Sequence, residues 1–378
     1  MLELLDDLTA RCAYEYPFLL PTLFALLGLS IGSYLNVVIY RMPRGLSTNE
    51  PKRSFCPRCN KIIPWYLNIP VLSWLCLRGK SACCHQRISP RYLFVELLTG
   101  GLFVWVSFYY SYESVLAQAL ICLWLAVAIA IFFIDWEQMI VLPRLCLVAA
   151  GVGLLLSVFA PSFCSDGAAT GAQEGIIYSA LGACVGFVLF KAIALLGRAA
   201  FGRKKQSFAS SVDWVMHSTP DENDIELIID GKSYLWSELF FEASHRLILK
   251  DASLNLKGRE PIQGDLTMSL SHITLPDGQQ IALSDYDAAS GTCCAWEQQR
   301  EAMGSGDAWI ALAIGAFCGW QGVAVTLVAG SLLGLIWALV TRVSRGEPMP
   351  FGPCLLLGTG VYMMDWHQVI WNYYLSLF

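Results

Sequence analysis

Long apolar stretches alternate with polar segments along most of this chain. Eight of them approach the roughly 20 residues that an α-helix needs to cross a bilayer. They are 17–40, 92–110, 115–134, 141–160, 176–197, 308–320, 323–341 and 354–376. The sixth is short, so the sixth and seventh are also compatible with one bent unit. The pattern predicts an all-α polytopic membrane protein with about eight transmembrane helices, a Cys-rich cytoplasmic loop and a small β-rich cytoplasmic insert.

Composition also indicates a membrane protein. The 378 residues are 56% hydrophobic and 15% charged, whereas soluble domains usually contain about 45–50% apolar and 25% charged residues. Most of the 14 cysteines are scattered through apolar runs, which argues against a secreted disulfide framework. The first residues are acidic, which argues against a cleavable signal peptide. No nucleic-acid partner is expected.

The positions of Lys and Arg set the expected orientation, because cytoplasmic loops carry an excess of these residues. Most of the 25 basic residues fall in 41–91 and 198–306, so both segments are expected in the cytoplasm and both termini outside. The expected division of the chain follows from this. It comprises an outer N-terminus with the first helix (1–40), the Cys-rich loop (41–91), helices two to five (92–197), a soluble insert (198–303) and helices six to eight (304–378).

Two carboxylates at helix ends are the candidate catalytic groups. Asp135 ends one apolar run, and Asp307 follows Gly304-Ser305-Gly306 and begins another. Glycines permit positive φ and close approach of another backbone, and eight helices would bring both aspartates to the cytoplasmic face. Two close carboxylates share a proton and activate water against a peptide bond. Taken singly, Asp307 is equally suited to capping its helix, and Asp135 to an interfacial position beside Trp136.

The loop 41–91 carries a candidate metal site in Cys56-Pro57-Arg58-Cys59 and Cys83-Cys84-His85. A CxxC pair is a common half of a structural zinc site. The second half is irregular, because Ser81 replaces one expected cysteine and adjacent residues of an extended chain point in different directions. We expect Cys56, Cys59 and Cys84 to bind zinc, with Cys83 or His85 as the fourth ligand. The predicted ligands are therefore Cys56, Cys59, Cys84 and, of the two candidates, Cys83. The alternative is a reduced loop without metal.

The insert is expected to be a small β-rich domain without a catalytic signature. Residues 225–229 and 266–270 favour strands, and Asp277-Gly278 favours a hairpin turn between two more strands. A short helix is expected at 297–303, leading into the glycines before Asp307.

Three further polar residues interrupt apolar runs. Glu96 is expected either to face the active site or the amino terminus of a substrate, or to pair with Arg91 at the helix end. Asp365 and His367 lie toward the outer face and are expected to stay outside the site.

Six segments stand out in order along the chain: Gly32–Pro43, Asn68–Trp74, Ile88–Tyr92, Val95–Gly100, Arg300–Asp307 and Pro350–Pro353. Together they resemble the motifs of the type IV prepilin peptidases. The resemblance implies a GxGD-type aspartic membrane protease with Asp135 and Asp307 as the catalytic pair. The implied location is the bacterial inner membrane, among membrane lipid, with the active site facing the cytoplasm.

The resemblance also implies the substrates, which are prepilins of type IV pili and pseudopilins of type II secretion, cut after a basic leader. Many members then methylate the new N-terminus with S-adenosylmethionine. The chain departs from the family at Ser81, at Leu67, where an acid is frequent, and at Trp309, where Lys is frequent. The segment 205–295 also lies outside the common pattern. Ser81 in particular bears on zinc binding and on methyl transfer.

Two other classes of function fit the same apolar chain. One is an inactive membrane scaffold for pilus or secretion assembly, with the Cys-rich loop as a docking module. The other is a proton-coupled transporter, but transporters place carboxylates near mid-helix and often show repeats, whereas both aspartates here stand at helix ends. The sequence does not predict an oligomeric state.

Overall fold

A computed structural model describes residues 16–365, apart from 52, 57, 166, 202, 220–223, 241–244, 256–260, 284–287, 300–303, 305 and 343–348. The chain divides into two compact units. One comprises Met1–Phe190 together with Gly306–Phe378, and the other comprises Lys191–Ser305. Helices form the first unit, and the second contains a β-sheet.

The described helices are numbered here in chain order. They are α1 (Leu19–Arg41), α2 (Leu72–Cys76), α3 (Pro90–Tyr109), α4 (Val115–Gln138), α5 (Pro143–Phe159), α6 (Pro161–Cys164), α7 (Ala172–Phe201), α8 (Trp236–Leu239), α9 (Asp307–Thr341) and α10 (Gly352–Met363). Short 3₁₀ helices occupy Met42–Arg44 and Trp65–Asn68.

Helix boundaries follow local sequence signals. The Ser89 side chain caps α3 and the Ser114 side chain caps α4, each by accepting a hydrogen bond from a backbone N–H of the first turn. Pro90 and Pro143 stand at first helical positions, where the missing N–H costs nothing. Met139 ends α4 in the left-handed conformation, with φ of 53°.

The prediction of an all-α protein with eight transmembrane helices is wrong. The structure contains an eight-stranded antiparallel sheet. Among the described residues, five helices are long and apolar enough to cross a membrane: Leu19–Arg44, Pro90–Tyr109, Val115–Gln138, Ala172–Ala200 and Asp307–Thr341. The apolar helices Pro143–Phe159 and Gly352–Met363 are shorter, and the end of the predicted helix 354–376 lies outside the described residues.

The two apolar runs predicted at 308–320 and 323–341 form one element, α9, with a break at Gly319. Gly319 has φ of 69° and ψ of −175°, a region open essentially to glycine alone. The bent-unit alternative for these two runs is therefore the one found in the structure.

The sheet of the second unit has the strand order β3-β2-β1-β8-β4-β5-β6-β7. The strands are β1 (Arg203–Ser218), β2 (Ile225–Ile229), β3 (Lys232–Leu235), β4 (Arg246–Leu254), β5 (Ile262–Met268), β6 (His272–Thr274), β7 (Gln280–Ala282) and β8 (Ala288–Gln299). Trp214, Leu227, Leu249 and Leu266 are fully buried in its core. The unit thus has a hydrophobic core of its own.

Most local predictions for this unit are confirmed. The strand at 225–229 is β2, and the hairpin around Asp277-Gly278 joins β6 to β7. The strand expected at 266–270 is the end of β5, which stops at Met268. The short helix expected at 297–303 is wrong for Glu297–Gln299, which belong to β8, while 300–303 lie outside the described residues.

Candidate active site and cysteine cluster

Asp135 lies in the last turn of α4 and is buried, with 5% of its surface exposed. The first residue of α10, Gly352, packs directly on its carboxylate. A Cβ atom at Gly352 would overlap Asp135 Oδ2 and would come within 2.6 Å of Ile310 Cδ1 in α9. A glycine is therefore required at this position by close approach, and α4, α9 and α10 meet at the Asp135 carboxylate.

Asp307 is the first residue of α9 and is also buried, with 7% of its surface exposed. The N-cap position belongs to Gly306, and no side chain caps this helix. Gly306 has φ of −66°, so positive φ is not the reason for this glycine. A Cβ atom there would lie 2.6 Å from Val141 Cβ, in the connection after α4. The glycine thus allows the chain before Asp307 to approach the end of α4.

A stacked ring pair relates the two aspartates. Trp124 of α4 and Phe317 of α9 lie 4.0 Å apart between ring centroids, with 9° between the ring planes. At a rise of 1.5 Å per residue, Asp135 lies about 16 Å further along α4, and Asp307 about 15 Å back along α9. Ile310 lies on the Asp307 side of Phe317, and it contacts Gly352, which packs on Asp135. Both displacements therefore run toward the same end of the helical unit. The two buried carboxylates therefore lie at one level of the helical unit.

Asp365 lies elsewhere. The Tyr109 hydroxyl donates a hydrogen bond of 3.1 Å to Asp365 Oδ2 at the far end of α3. The near end of α3 is marked by Arg91, which forms a 3.2 Å ion pair with Glu137, two residues after Asp135. Asp365 thus stands apart from the aspartate level, as the sequence predicted, while His367 lies outside the described residues.

The four predicted cysteine ligands are brought together in one cluster. The sulfur atoms of Cys56, Cys59, Cys83 and Cys84 all lie within 4.8 Å of one another. Cys59 Sγ is 3.2 Å from Cys83 Sγ, and Cys56 Sγ is 3.7 Å from Cys84 Sγ. A tetrahedral zinc ion with bonds of about 2.3 Å needs sulfurs about 3.8 Å apart. The cluster could hold such an ion.

A turn explains why adjacent cysteines converge. The His85 N–H donates to the Ser81 carbonyl oxygen at 2.9 Å, and the Cys84 N–H donates to Ser81 Oγ at 3.3 Å. The chain at Cys83 and Cys84 is therefore folded, and the objection drawn from extended chain does not apply. Ser81, which breaks the cysteine pattern, stabilises the turn. Of the two candidates for the fourth ligand, Cys83 is in the cluster and His85 is not among its members.

The Cys56 thiol is suited to metal binding. Burial raises its pKa, but backbone N–H groups of Cys59 and Arg58 favour the thiolate and bring the pKa down to about 6. A thiolate is the form that binds a metal ion.

Glu96 has a different partner from the one considered in sequence. Arg91 pairs with Glu137, and Glu96 Oε2 instead accepts a 2.7 Å hydrogen bond from the backbone N–H of Val71. Sequence reasoning missed Val71, as it missed Gly352 and Val141 beside the aspartates. The segments 68–74 and 350–353 carried a signal, because both contributed to the family resemblance, but nothing in them indicated these contacts.

Comparison with known proteins supports the resemblance. Residues 26–110 match the Bacterial Peptidase A24 N-terminal domain, and residues 272–339 match the Type IV leader peptidase family. A prepilin leader peptidase/N-methyltransferase of Klebsiella pneumoniae is 39% identical over 171 residues, which are 44% of this chain and 74% of that protein. The chain belongs to the type IV leader peptidase family.

Other members of this family align along almost the whole leader peptidase chain. Proteins named prepilin leader peptidase/N-methyltransferase from Neisseria gonorrhoeae and Aeromonas salmonicida are each 26% identical. The first alignment covers 94% of this chain and 93% of the relative, and the second covers 98% of each. No solved structure matches. The protein is therefore an enzyme, a membrane-embedded leader peptidase.

Proposed function

We propose that this leader peptidase is an aspartic endopeptidase that removes the basic leader from type IV prepilins or pseudopilins, with Asp135 and Asp307 as the catalytic pair. The observation that carries the proposal is the burial of two carboxylates at one level of the helical unit. A buried carboxylate in a membrane protein is costly unless it has a role. Family membership supplies the reaction class, and the names of the relatives supply the substrate.

The chemistry needs no covalent intermediate. Two neighbouring carboxylates hold one proton between them, because both cannot be ionised at short range. The ionised member takes a proton from water, whose oxygen attacks the scissile carbonyl, while the protonated member donates to the carbonyl oxygen. The tetrahedral intermediate then collapses, the carbon–nitrogen bond breaks, and the leaving nitrogen takes the proton that the first carboxylate accepted from water. A hydroxyl of the intermediate returns its proton to the second carboxylate, which restores the shared proton. On one side, Gly352 packs against the Asp135 carboxylate so closely that a Cβ atom at that position would overlap Oδ2.

We further propose that cleavage occurs at the cytoplasmic face of the bacterial inner membrane. The basic segment 41–91 joins the end of α1 to the start of α3. The Arg91–Glu137 ion pair ties the start of α3 to the end of α4, beside Asp135. The positive-inside rule puts such a basic segment in the cytoplasm, and the aspartates lie at the same end.

Replacement of each aspartate tests the catalytic proposal. Asp135→Asn and Asp307→Asn should each abolish cleavage of a prepilin in detergent or liposomes, because Asn keeps the shape but cannot act as a base or share a proton. The double variant should be no worse than either single one. Asp365→Asn is the matched control and should cleave at the normal rate. Normal cleavage by Asp307→Asn would refute the two-aspartate mechanism.

We also propose that Cys56, Cys59, Cys83 and Cys84 bind a structural zinc ion, on the strength of the sulfur separations. Purified protein should contain about one equivalent of zinc by elemental analysis. Cys59→Ser should remove it, whereas Cys76→Ser, a change at an exposed cysteine of the same segment, should leave it unchanged. Zinc below half an equivalent, or zinc retained by the Cys59 variant, would exclude the site.

N-methylation of the new N-terminus is the second proposed activity, with S-adenosylmethionine as the methyl donor. The donor would supply an electrophilic methyl group on a sulfonium sulfur. Beside the cysteine cluster, a cavity of about 360 Å³ is lined by Glu96 and Asn36. A carboxylate and an amide oxygen can accept hydrogen bonds from a protonated amine, which is the group to be methylated, so the residues present fit this activity.

A further inference from the structure

The cavity beside the cysteine cluster lies between α1, the segment 54–92 and α3. Its volume is about 360 Å³, and most of its wall is apolar, with aromatic contributions from Tyr40, Phe55, Trp74 and Tyr92. Such a mainly apolar cavity with a few placed polar groups is the usual form of a small-ligand site. The polar groups therefore decide what the cavity can bind.

Asn36 presents an unused acceptor. It is 2% exposed, and its Nδ2 donates to the Tyr92 carbonyl oxygen at 3.0 Å and to the Gly32 carbonyl oxygen at 3.3 Å. These two bonds fix the side-chain amide, because a flipped amide would put its oxygen against two carbonyl oxygens. Asn36 Oδ1 is buried and has no hydrogen-bond partner among the described residues. A buried acceptor without a partner is costly, and a ligand donor would satisfy it.

Glu96 is the second acceptor, and a strained backbone holds it. Glu96 is 8% exposed, and its Oε2 accepts the Val71 N–H. Val71 has φ of 64° and ψ of −53°, which is a marked outlier for a β-branched residue. Such strain persists where the surrounding structure imposes it, and it clusters at ligand sites. Here the strained residue fixes the position of the carboxylate.

Basic side chains also lie around this cavity, and none of those that the structure describes forms an ion pair with Glu96. Arg41 is buried, and its guanidinium donates to the carbonyl oxygens of Ser47, Thr48, Glu50, Pro51 and Arg53. Arg91 pairs with Glu137. Within the described part of the chain, no ion pair joins Glu96 to Arg58 or Arg87, which also line the cavity. The site offers two fixed acceptors to an incoming cation.

The position of the cavity indicates which cation this is. Arg91 of α3 meets Glu137 of α4. From that pair, Glu96 lies about 7.5 Å along α3, and Asp135 about 3 Å back along α4. The Phe94–Phe133 ring contact, 6.2 Å between centroids, shows the same antiparallel register. Glu96 and the cleavage site are therefore within about 5 Å in depth on adjacent helices.

We propose that this cavity binds the primary ammonium group at the N-terminus of the cleaved pilin, with Glu96 and Asn36 Oδ1 as its acceptors. This inference rests on the proposed cleavage and methylation. Methylation forms a bond between the nitrogen and the methyl carbon of the sulfonium donor, while the carbon–sulfur bond breaks and its electrons stay on sulfur. The nitrogen must first lose a proton to expose its lone pair, and Glu96 accepts that proton.

Binding by the full-length protein in detergent micelles tests the assignment directly. The probes are a peptide of the mature pilin N-terminus with a free amine, the same peptide with an acetylated amine, and S-adenosylhomocysteine. Wild-type protein should bind the free-amine peptide at least tenfold more tightly than the acetylated one. Glu96→Gln should remove this preference and leave S-adenosylhomocysteine binding unchanged. Glu113→Gln, at the other end of the α3–α4 pair, should keep the preference.

Kinetics provide a second readout. With the pre-cleaved peptide, Glu96→Gln should raise the KM for methyl transfer at least tenfold and also lower kcat, because glutamine has no negative charge for the ammonium group and cannot accept its proton. Glu96→Asp keeps the negative charge and should retain part of the difference in affinity between the free-amine and the acetylated peptide.

Three results would overturn the inference. They are no preference for the free amine by wild-type protein, a preference that survives Glu96→Gln, and weaker S-adenosylhomocysteine binding by Glu96→Gln, which would assign the cavity to the methyl donor. The comparison of peptides on wild-type protein needs no variant, so it decides the question even if Glu96→Gln fails to accumulate. If wild-type protein neither cleaves prepilin nor methylates the product, the proposed function is refuted instead. Binding of the free-amine peptide can still be measured in that case, so the two failures are distinguishable.

Discussion

At the scale of single residues, the enzyme keeps three carboxyl groups buried at one end of its helices, and each has different neighbours. Asp135 is covered by Gly352 and Ile310. Asp307 follows a glycine that lies on Val141, and Glu96 is held by the Val71 N–H. Gly352 lets α10 contact Asp135 directly, and Gly306 lets the chain before Asp307 contact the segment after α4. The shape around Asp135 and Asp307 is therefore set partly by the absence of a side chain at a neighbouring glycine.

Gly352 provides the sharpest residue-scale prediction. Gly352→Ala places a methyl group on the Asp135 carboxylate and on Ile310, so the carboxylate must shift. A displacement of about 1 Å in a catalytic group can cost about 100-fold in rate. We expect kcat for prepilin cleavage to fall at least tenfold, while the variant accumulates in the membrane to nearly the wild-type level. Gly360→Ala, in the same helix with open space around it, should cleave normally, and equal rates for both variants would contradict this packing.

At the scale of elements, α9 turns back on itself at Gly319. Its first arm carries Ile310, which reaches the Asp135 site, and its second arm carries Trp337, whose ring lies 4.8 Å from that of Trp136. In an unbroken helix these two residues would be about 40 Å apart. Both arms nevertheless contact the same end of α4, so the chain must reverse between them. The break thus brings two arms of one helix to the end of α4 that carries Asp135.

Gly319→Ala should destabilise this reversal. The alanine would adopt an unfavourable positive φ, and its Cβ would overlap the Cys164 carbonyl oxygen. Strain of this type costs about 1–3 kcal/mol. We expect a lower midpoint of thermal unfolding for the purified enzyme, followed by tryptophan fluorescence in detergent. The control is Gly151→Ala in α5, which has open space for the methyl group. An unchanged midpoint for the Gly319 variant would show that the break does not depend on glycine.

The same elements show what sequence can predict. Hydropathy located the membrane helices, because apolar runs report directly on burial in lipid. The length of an apolar run distinguished membrane-spanning helices from shorter ones less well. The runs that contain α5 and α10 look long enough to span a membrane in sequence, but both helices are shorter in the structure. The cysteine cluster was predicted residue by residue, but the convergence of Cys83 and Cys84 depends on the Ser81 turn. The contact of Val71 with Glu96 joins separate segments, and no local pattern reports such a contact.

At the scale of the whole molecule, the chain divides into a helical unit and a sheet unit. The sheet closes around its own apolar side chains, including Trp214, Leu227 and Leu249. All residues of this hydrophobic core belong to the insert itself. The insert therefore gains the free energy of burying them without contacts from the rest of the chain. The insert therefore has the properties of an independent domain.

The last prediction is that residues 203–299 fold when produced alone. The isolated segment should be soluble, give a β-rich circular dichroism spectrum and unfold cooperatively in urea, because its buried core is complete within it. Leu227→Ala removes a fully buried side chain and should cost about 2–5 kcal/mol. Val215→Ala shortens an aliphatic side chain on the neighbouring strand that is 40% exposed, and it should cost less than about 1 kcal/mol. A disordered segment, or equal losses for the two variants, would mean that the sheet depends on the membrane helices for its stability.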